Sequence, residues 1–442
     1  MPRPERSGRG FHIQQRVCPV AVRSEFASCI LTPPLIWTGH RQAVACVSRE
    51  AKTMHRGGLA QASKLGAMPR AASCGLPDGF HLLDWRKVDL EGLQASWRRL
   101  ADHALVPNAF FEAGFLVPSL TVFDREGEVS LALLVEGGQT RAVMPCTSRS
   151  DYHGRRLPHC ANWLHANMFC GVPLVEASYE EAFWTAYLAT CDQQAGSSWF
   201  AHFSYLPADC AVTRALEKVS LSQHRQMQIV HRESRAVLNR GSMPETHLAQ
   251  AMAPKVRKEL RRQRRRLEEL GTVETVRSRA QEGLQRWIED FLLLETKGWK
   301  GESGSSLASD THTTALFIQA LTRAAELGRL ERLSLTLDGK PIAMLATFLA
   351  HPGSFSFKTA FDEEYARYSP GMQLQVENLA LLDDPDLAWC DSCAAEGHPM
   401  IERIWRDKRE MVSITVEAGS GWPRQLGKLW ARIEAWRMEQ RR

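Results

Sequence analysis

The chain has 442 residues, of which 44% are apolar and 24% charged, the composition of an ordinary globular protein with room for two or three domains. No run approaches the roughly 18 consecutive apolar residues of a membrane-spanning helix, so no membrane insertion is expected. A formal charge of +5 is too small to imply nucleic acid, and much of it sits in the first 76 residues, where 11 Lys and Arg face three Glu and no Asp. The 11 cysteines are scattered, odd in number and set among apolar residues. That pattern fits reduced thiols and a cytoplasmic protein. Cys390-Asp-Ser-Cys393, with His398 beyond it, has part of a zinc spacing but lacks a second pair, so no metal is expected.

Residues 1–76 show no sustained periodicity and form an extension outside the fold, either disordered or preceding a true start at Met54 or Met68. From Phe80 the pattern changes. Leu82, Leu83, Trp85, Leu90, Leu93, Trp97 and Leu100 predict one amphipathic helix ending near the Val106-Pro107-Asn108 turn. Phe110, Phe111, Phe115 and Leu116 read as core. Residues 120–123 and 129–135, joined by 124–128, predict a hairpin. Residues 145–173 read as loop, and His153, His159 and His165 within it fall at no defined metal spacing. A helix over 178–195, a strand over 199–205, a helix over 211–221 and a strand pair within 223–239 complete a first half, and 239–244 is a linker.

Eight of the twelve residues 255–266 are Lys or Arg, while Val256, Leu260, Leu267 and Leu270 make one apolar stripe. The cationic face has three readings: solvated surface, a clamp for the phosphates of CoA or a nucleotide-linked substrate, or an RNA-binding helix. Helices follow over 285–295 and 313–327. In the tail, 389–399 reads as a loop or irregular strand end, 400–411 as helix and 412–416 as strand. Residues 426–442 read as a helix with Leu429, Ile433 and Trp436 on one face.

The strongest signals lie between 330 and 382. Leu333, Leu335 and Leu337 alternate with polar residues, Asp338-Gly339 turns, 341–349 returns apolar, and His351-Pro352-Gly353 turns again into 354–360. This is a three-stranded meander. Ser369-Pro370-Gly371 then starts a helix, with serine as N-cap and proline at the first helical position. A helix start directly after a strand leaves backbone N–H groups facing out at the positive end of the dipole, and Gly371 would let an anion approach. That arrangement suits a pyrophosphate. The plain alternative is an ordinary capped helix.

Residues 365–374, Tyr-Ala-Arg-Tyr-Ser-Pro-Gly-Met-Gln-Leu, resemble the phosphate-gripping turn of GNAT acyltransferases, particularly the CelD/BcsL-type group linked to cellulose and exopolysaccharide synthesis. The basic helix 255–271 and Glu295-Thr-Lys-Gly-Trp-Lys-Gly301 match the same group. The resemblance implies an α+β fold of two GNAT-like domains, related to the Fem peptidyltransferases, with mixed central sheets flanked by helices. Their expected bounds are 77–240 and 241–425, with 426–442 as a C-terminal helix. It also implies acetyl-CoA or another acyl-CoA as co-substrate, and an N- or O-acyltransferase acting on a sugar, a nucleotide-linked sugar or a small amine in polysaccharide or envelope synthesis.

Ser369, Gly371, Met372 and Gln373 would then grip the CoA, and Trp299, Lys300 and Lys358 would bind substrate. Acyl transfer also needs a base for the nucleophile's proton. The candidates, in order, are Glu295, Asp391 and Asp362. A Cys393–His398 nucleophile pair lacks an orienting partner. Two alternatives stand beside this reading: a Fem-like transferase with aminoacyl-tRNA as partner, and a non-catalytic scaffold of the same fold. Where Fem enzymes carry Gly-Asp-Glu-x-Tyr-Lys, this chain has Ser392-Cys-Ala-Ala-Glu-Gly-His398, which weighs against tRNA.

Overall fold

The computed structural model describes residues 73–193, 198–297 and 307–440, all within the unit Ala67–Arg442. Of the extension expected over residues 1–76, residues 1–72 lie outside the described residues, but Cys74 already belongs to the core, and its N–H bonds the Gly138 carbonyl at 2.8 Å. In chain order the first elements are β1 (Gly79–Asp84), α1 (Leu90–His103), α2 (Ala113–Phe123), β2 (Val129–Glu136), β3 (Gln139–Tyr152), β4 (Arg155–Asn162), β5 (Leu174–Val175), α3 (Glu180–Gln193), β6 (Phe200–Pro207), α4 (Ala211–Ser222) and β7 (Met227–Asn239). Then come α5 (Pro244–Ala251), α6 (Pro254–Glu268), β8 (Val273–Ser278), α7 (Leu284–Lys297), α8 (Thr311–Glu326), β9 (Leu330–Leu337), β10 (Lys340–Ala350), β11 (Gly353–Phe361), α9 (Pro370–Asn378), β12 (Trp389–Asp391), β13 (Asp407–Glu417) and α10 (Gly421–Gln440).

The strands form one sheet in the order β1-β2-β3-β4-β6-β13-β7-β12-β11-β10-β9-β8, with β5 beside β3. Every pairing is antiparallel except two. β4 meets β6 in parallel over Cys160–Ala161 and Ala201–His202, and β11 meets β12 in parallel over Gly353–Phe355 and Trp389–Asp391. Each parallel contact is short because the strands separate beyond it, so the sheet has two points of splay.

Alternation along the strands sorts the two faces. On β10, Met344, Ala346 and Phe348 enter a large core with Trp97, Phe115, Phe183, Leu216, Phe291 and Phe317 from α1, α2, α3, α4, α7 and α8. Leu345 points the other way, with Leu333 and Leu335, against Leu267 of α6 and Leu374 of α9. The large core is continuous across the sheet: the Phe110 ring stands 5.2 Å from that of Phe355 and the Phe115 ring 5.4 Å from that of Phe348.

The meander and helices α3, α4, α6, α7 and α8 form where the periodicity places them. Five segments differ. Residues 79–84 are a strand, because Asp89 caps a later start by accepting from Gly92 N at 3.0 Å. Residues 113–123 are a helix despite Pro118, and the hairpin is β2 with β3, turning at Gly137-Gly138. The region 145–173 holds most of a second hairpin, β3 with β4, while Pro145 at its start still pairs with Leu131 of β2. Residues 227–239 make one long strand instead of a pair, and 407–417 extend as β13 where a helix is predicted over 400–411.

Candidate functional site

The two splays differ in what bridges them among the described residues. At the first, Asn162 Nδ2 donates to the carbonyls of Gly171 and Ser204 at 2.9 and 3.0 Å, and Ser204 N donates back to its Oδ1 at 2.9 Å. Gly171 N also bonds Tyr205 O at 2.9 Å. The loop after β4 is thus stitched to β6. The helix after this splay, α3, begins with Glu180 and Glu181, which repel an anion from its N-terminus.

At the second splay, β11 runs on from Phe355 to Phe361 while the chain leaves β12 at Asp391. The short turn after β11 leads directly into α9. Its first turn carries the residues expected to grip the CoA, and their surroundings differ from the expectation. Ser369 adopts a left-handed conformation, φ 52° and ψ 52°, and its side chain does not cap the helix. A Cβ on Gly371 would stand 3.1 Å from Phe361 Cδ1 and 3.2 Å from Met400 Sδ, so its bareness serves the packing of the helix against those two side chains. Gln373 N is already committed to Ser369 O at 3.0 Å, and its side-chain amide to Tyr368 O at 2.7 Å. Gly371 and Met372 N–H remain, without an acceptor among the described residues. They are the orphan donors of a helix start.

The candidate bases do not converge. Asp391, 1% exposed, stands at the splay itself. Its Oδ1 accepts from Cys393 N at 2.8 Å, Arg235 and Arg409 lie 3.7 and 3.8 Å from its oxygens, and Oδ2 has no hydrogen-bond partner among the described residues. Burial works against the Arg235 charge, yet Asp391 and Glu233 hold it firmly protonated. Asp362 caps the turn after β11, accepting from Glu364 N at 3.1 Å, with its other oxygen buried and without a partner among the described residues. Seven residues separate it along the chain from Phe355, the partner of Asp391, so at about 3.3 Å per residue the two carboxylates are roughly 23 Å apart. Glu295, 4% exposed near the end of α7, accepts from Leu307 N at 2.8 Å and so ties that helix to the segment before α8. Trp299 and Lys300 lie outside the described residues.

Lys358 is on β11 between these points. Its ammonium stands 5.3 Å from the Phe357 ring and 5.5 Å from that of Phe169, whose carbonyl also receives a hydrogen bond from Arg235. Asp391, Arg235, Phe169 and Lys358 therefore gather at one splay. Arg235, Arg409 and Phe169 are absent from the sequence reading because they come from distant segments with no motif around them. His165, stacked on Phe115 and beside Phe123, has its ring pKa lowered to about 3, first by burial and then by Lys358. Burial together with the Asp391 charge keeps Cys393 a thiol, so it is no ready nucleophile. An open cleft of about 510 Å³ lies elsewhere, beside β8, but its Arg277 and Arg279 are matched by Glu331 and Asp384 and offer little to a phosphate.

Among the described residues no helix is long and apolar enough to cross a membrane, and no three His, Cys, Asp or Glu side chains gather as a metal site. Residues 254–396 match the family described as acetyltransferase (GNAT) domain. No curated protein matches the sequence. Among solved structures, FemX is similar over 76% of this chain and 98% of its own, at 9% identity and a TM-score of 0.50. A conserved protein of unknown function from Bacteroides thetaiotaomicron VPI-5482 is similar over 73% and 97%, at 11% identity and 0.48. A tandem GNAT protein from the clavulanic acid biosynthesis pathway is similar over 78% and 99%, at 15% identity and 0.38. The mixed sheet flanked by helices is the GNAT fold; residues 254–396 are a GNAT acetyltransferase domain, and by that domain the chain is an acyltransferase.

Proposed function

We propose that the chain moves an acyl group from acyl-CoA to the amine or hydroxyl of a sugar, a nucleotide-linked sugar or a small amine. The work would be done at the second splay. The CelD/BcsL resemblance further suggests a cytoplasmic step in polysaccharide or envelope synthesis. The observation that carries the reading is the start of α9. Two N–H groups without an acceptor among the described residues, at Gly371 and Met372, stand at a positive helix end just past β11. From Phe361, beside that turn, back to Phe355, level with Asp391, is about 20 Å of strand at 3.3 Å per residue. The extended thioester arm of a CoA gripped at the turn would follow that line past Lys358 toward Asp391. Asp391 is the carboxylate best placed to take the acceptor's proton; Glu295 and Asp362 serve their local turns.

The test must separate grip from folding, and Gly371 is unsuited because any side chain there meets Phe361 and Met400. Ser369→Asp is suited. Aspartate tolerates the left-handed conformation and favours a helix start, so the fold is kept while a negative charge opposes the diphosphate. Acetyl-CoA at about 100 times its dissociation constant should stabilise the unsubstituted chain by roughly 2.7 kcal/mol, read as a rise in melting temperature. Ser369→Asp should melt normally and lose that rise, whereas Asp391→Asn should keep it and lose turnover in an acceptor screen. No rise with acetyl-CoA or CoA would remove the reading.

A further inference from the structure

Helix α10 is held by its small-residue side. Gly427, Ala431 and Ala435 are buried, and a Cβ on Gly427 would stand 2.2 Å from the Trp199 carbonyl oxygen. Tyr152 donates to Glu434 at 2.9 Å, and Arg424 pairs with Glu417 at 3.0 Å. The helix is therefore fixed without its opposite side, which carries Trp422, Leu426, Leu429, Ile433 and Trp436. These follow one another at steps of four, three, four and three residues. At 100° per residue they fall within an arc of about 80° and run some 21 Å along the axis. Trp422 is 81% exposed, Leu426 42%, Leu429 55% and Trp436 59%. The other exposed large apolar side chains, such as Leu221 and Leu293, are scattered singly, which needs no explanation.

We propose that this stripe docks on the same stripe of a second copy of the chain, the two α10 helices crossing antiparallel with Leu429 near the two-fold axis. The order of residues supports it. Read from either end, the stripe is Trp, aliphatic, Leu, aliphatic, Trp, so reversal sets Trp422 against Trp436 and Leu426 against Ile433. A two-fold contact needs this self-complementarity. Charge selects the same orientation: a parallel pair sets Arg432 against Arg437 of the other helix, and the antiparallel pair separates them. The size is also adequate. At the stated exposures the two Trp and two Leu offer roughly 500 Å² per chain, since an aromatic side chain alone buries 150–250 Å². Two copies then reach about 1,000 Å², the lower bound of a specific interface.

Sedimentation velocity of the full chain at tens of micromolar should give about twice the 49.7 kDa chain mass. Leu429→Glu, at a half-exposed position that leaves the buried side intact, should give the single-chain mass with an unchanged far-ultraviolet circular dichroism spectrum and a melting temperature that no longer depends on protein concentration. Trp422→Cys and Trp436→Cys chains, mixed and briefly oxidised, should cross-link to each other well beyond either chain alone and beyond the native cysteines. A single-chain mass for the unsubstituted protein overturns the proposal. If that monomer also co-sediments with phosphatidylcholine–phosphatidylglycerol vesicles, and Trp422→Glu abolishes this, the stripe is a lipid-surface element instead. A dimer that survives Leu429→Glu, or equal cross-linking of Trp422→Cys with itself, overturns it as well.

Discussion

Glu112 illustrates how one side chain couples the two ends of the sheet to pH. It starts α2 and is buried, 3.7 Å from Arg329 beside β9. Burial raises its pKa to about 7; Arg329 opposes the rise and Asp102 adds to it. Between pH 4.5 and 7 the folded chain holds a proton that the unfolded chain has released, so this contribution is complete at low pH and is lost as pH rises through 7. At 1.36 kcal/mol per unit it amounts to roughly 3 kcal/mol. Glu112→Gln removes the titration while Arg329 keeps Asp102 as a partner. Denaturant melts should show the variant gaining on the unsubstituted chain by about that amount between pH 5 and pH 8. Parallel pH profiles for the two chains would show that Glu112 does not titrate in this way.

At the scale of elements, the contrast between the splays rests on Gly171. A Cβ there would lie 2.1 Å from the Ser204 carbonyl oxygen and 2.4 Å from Asn162 Nδ2, and the first of these is backbone and cannot swing away. Gly171→Ala should therefore cost at least about 1–3 kcal/mol, the usual cost of overpacking, and lower the melting temperature. The acetyl-CoA shift should persist, because the affected splay is the first one, not the one that leads to α9. An unchanged melting temperature would mean that the loop is not stitched to β6. Legibility at this scale followed periodicity. The meander and the helix after it were readable because alternation, turn residues and proline agree. Helix α2 was not, since AGFLVPSLTVF is apolar on nearly every side and carries a proline, leaving no stripe to detect. At the candidate site the turn 369–373 was visible, but the engagement of its Gln373 N–H by the Ser369 carbonyl and the packing of Gly371 on Phe361 and Met400 were not. Asp391 was visible as a carboxylate, whereas its partners Arg235 and Arg409 come together only through strand pairing.

For the whole molecule, the decisive element is the last strand in the chain. We propose two GNAT-like units, 77–240 and 241–425, but β13 of the second lies between β6 and β7. It pairs with β6 from Met411 to Glu417 and with β7 from Asp407 to Val416. Without it, β6 keeps only its two-residue parallel contact with β4, and β7 only its three-residue pairing with β12. Its apolar residues Met411, Val412, Ile414 and Val416 belong to the continuous core. Burial at about 25 cal/mol per Å² makes such a strand worth several kcal/mol, a large fraction of the 5–15 kcal/mol that stabilises a typical domain. The two units should therefore unfold together. Tryptophan fluorescence and far-ultraviolet circular dichroism should report one coincident transition in urea, and a chain ending at Arg406 should lose the cooperative transition of its first unit although residues 77–240 are all present. A truncated chain whose first unit still melts cooperatively at the original midpoint would show that β13 is an accessory to that unit and that the two fold independently.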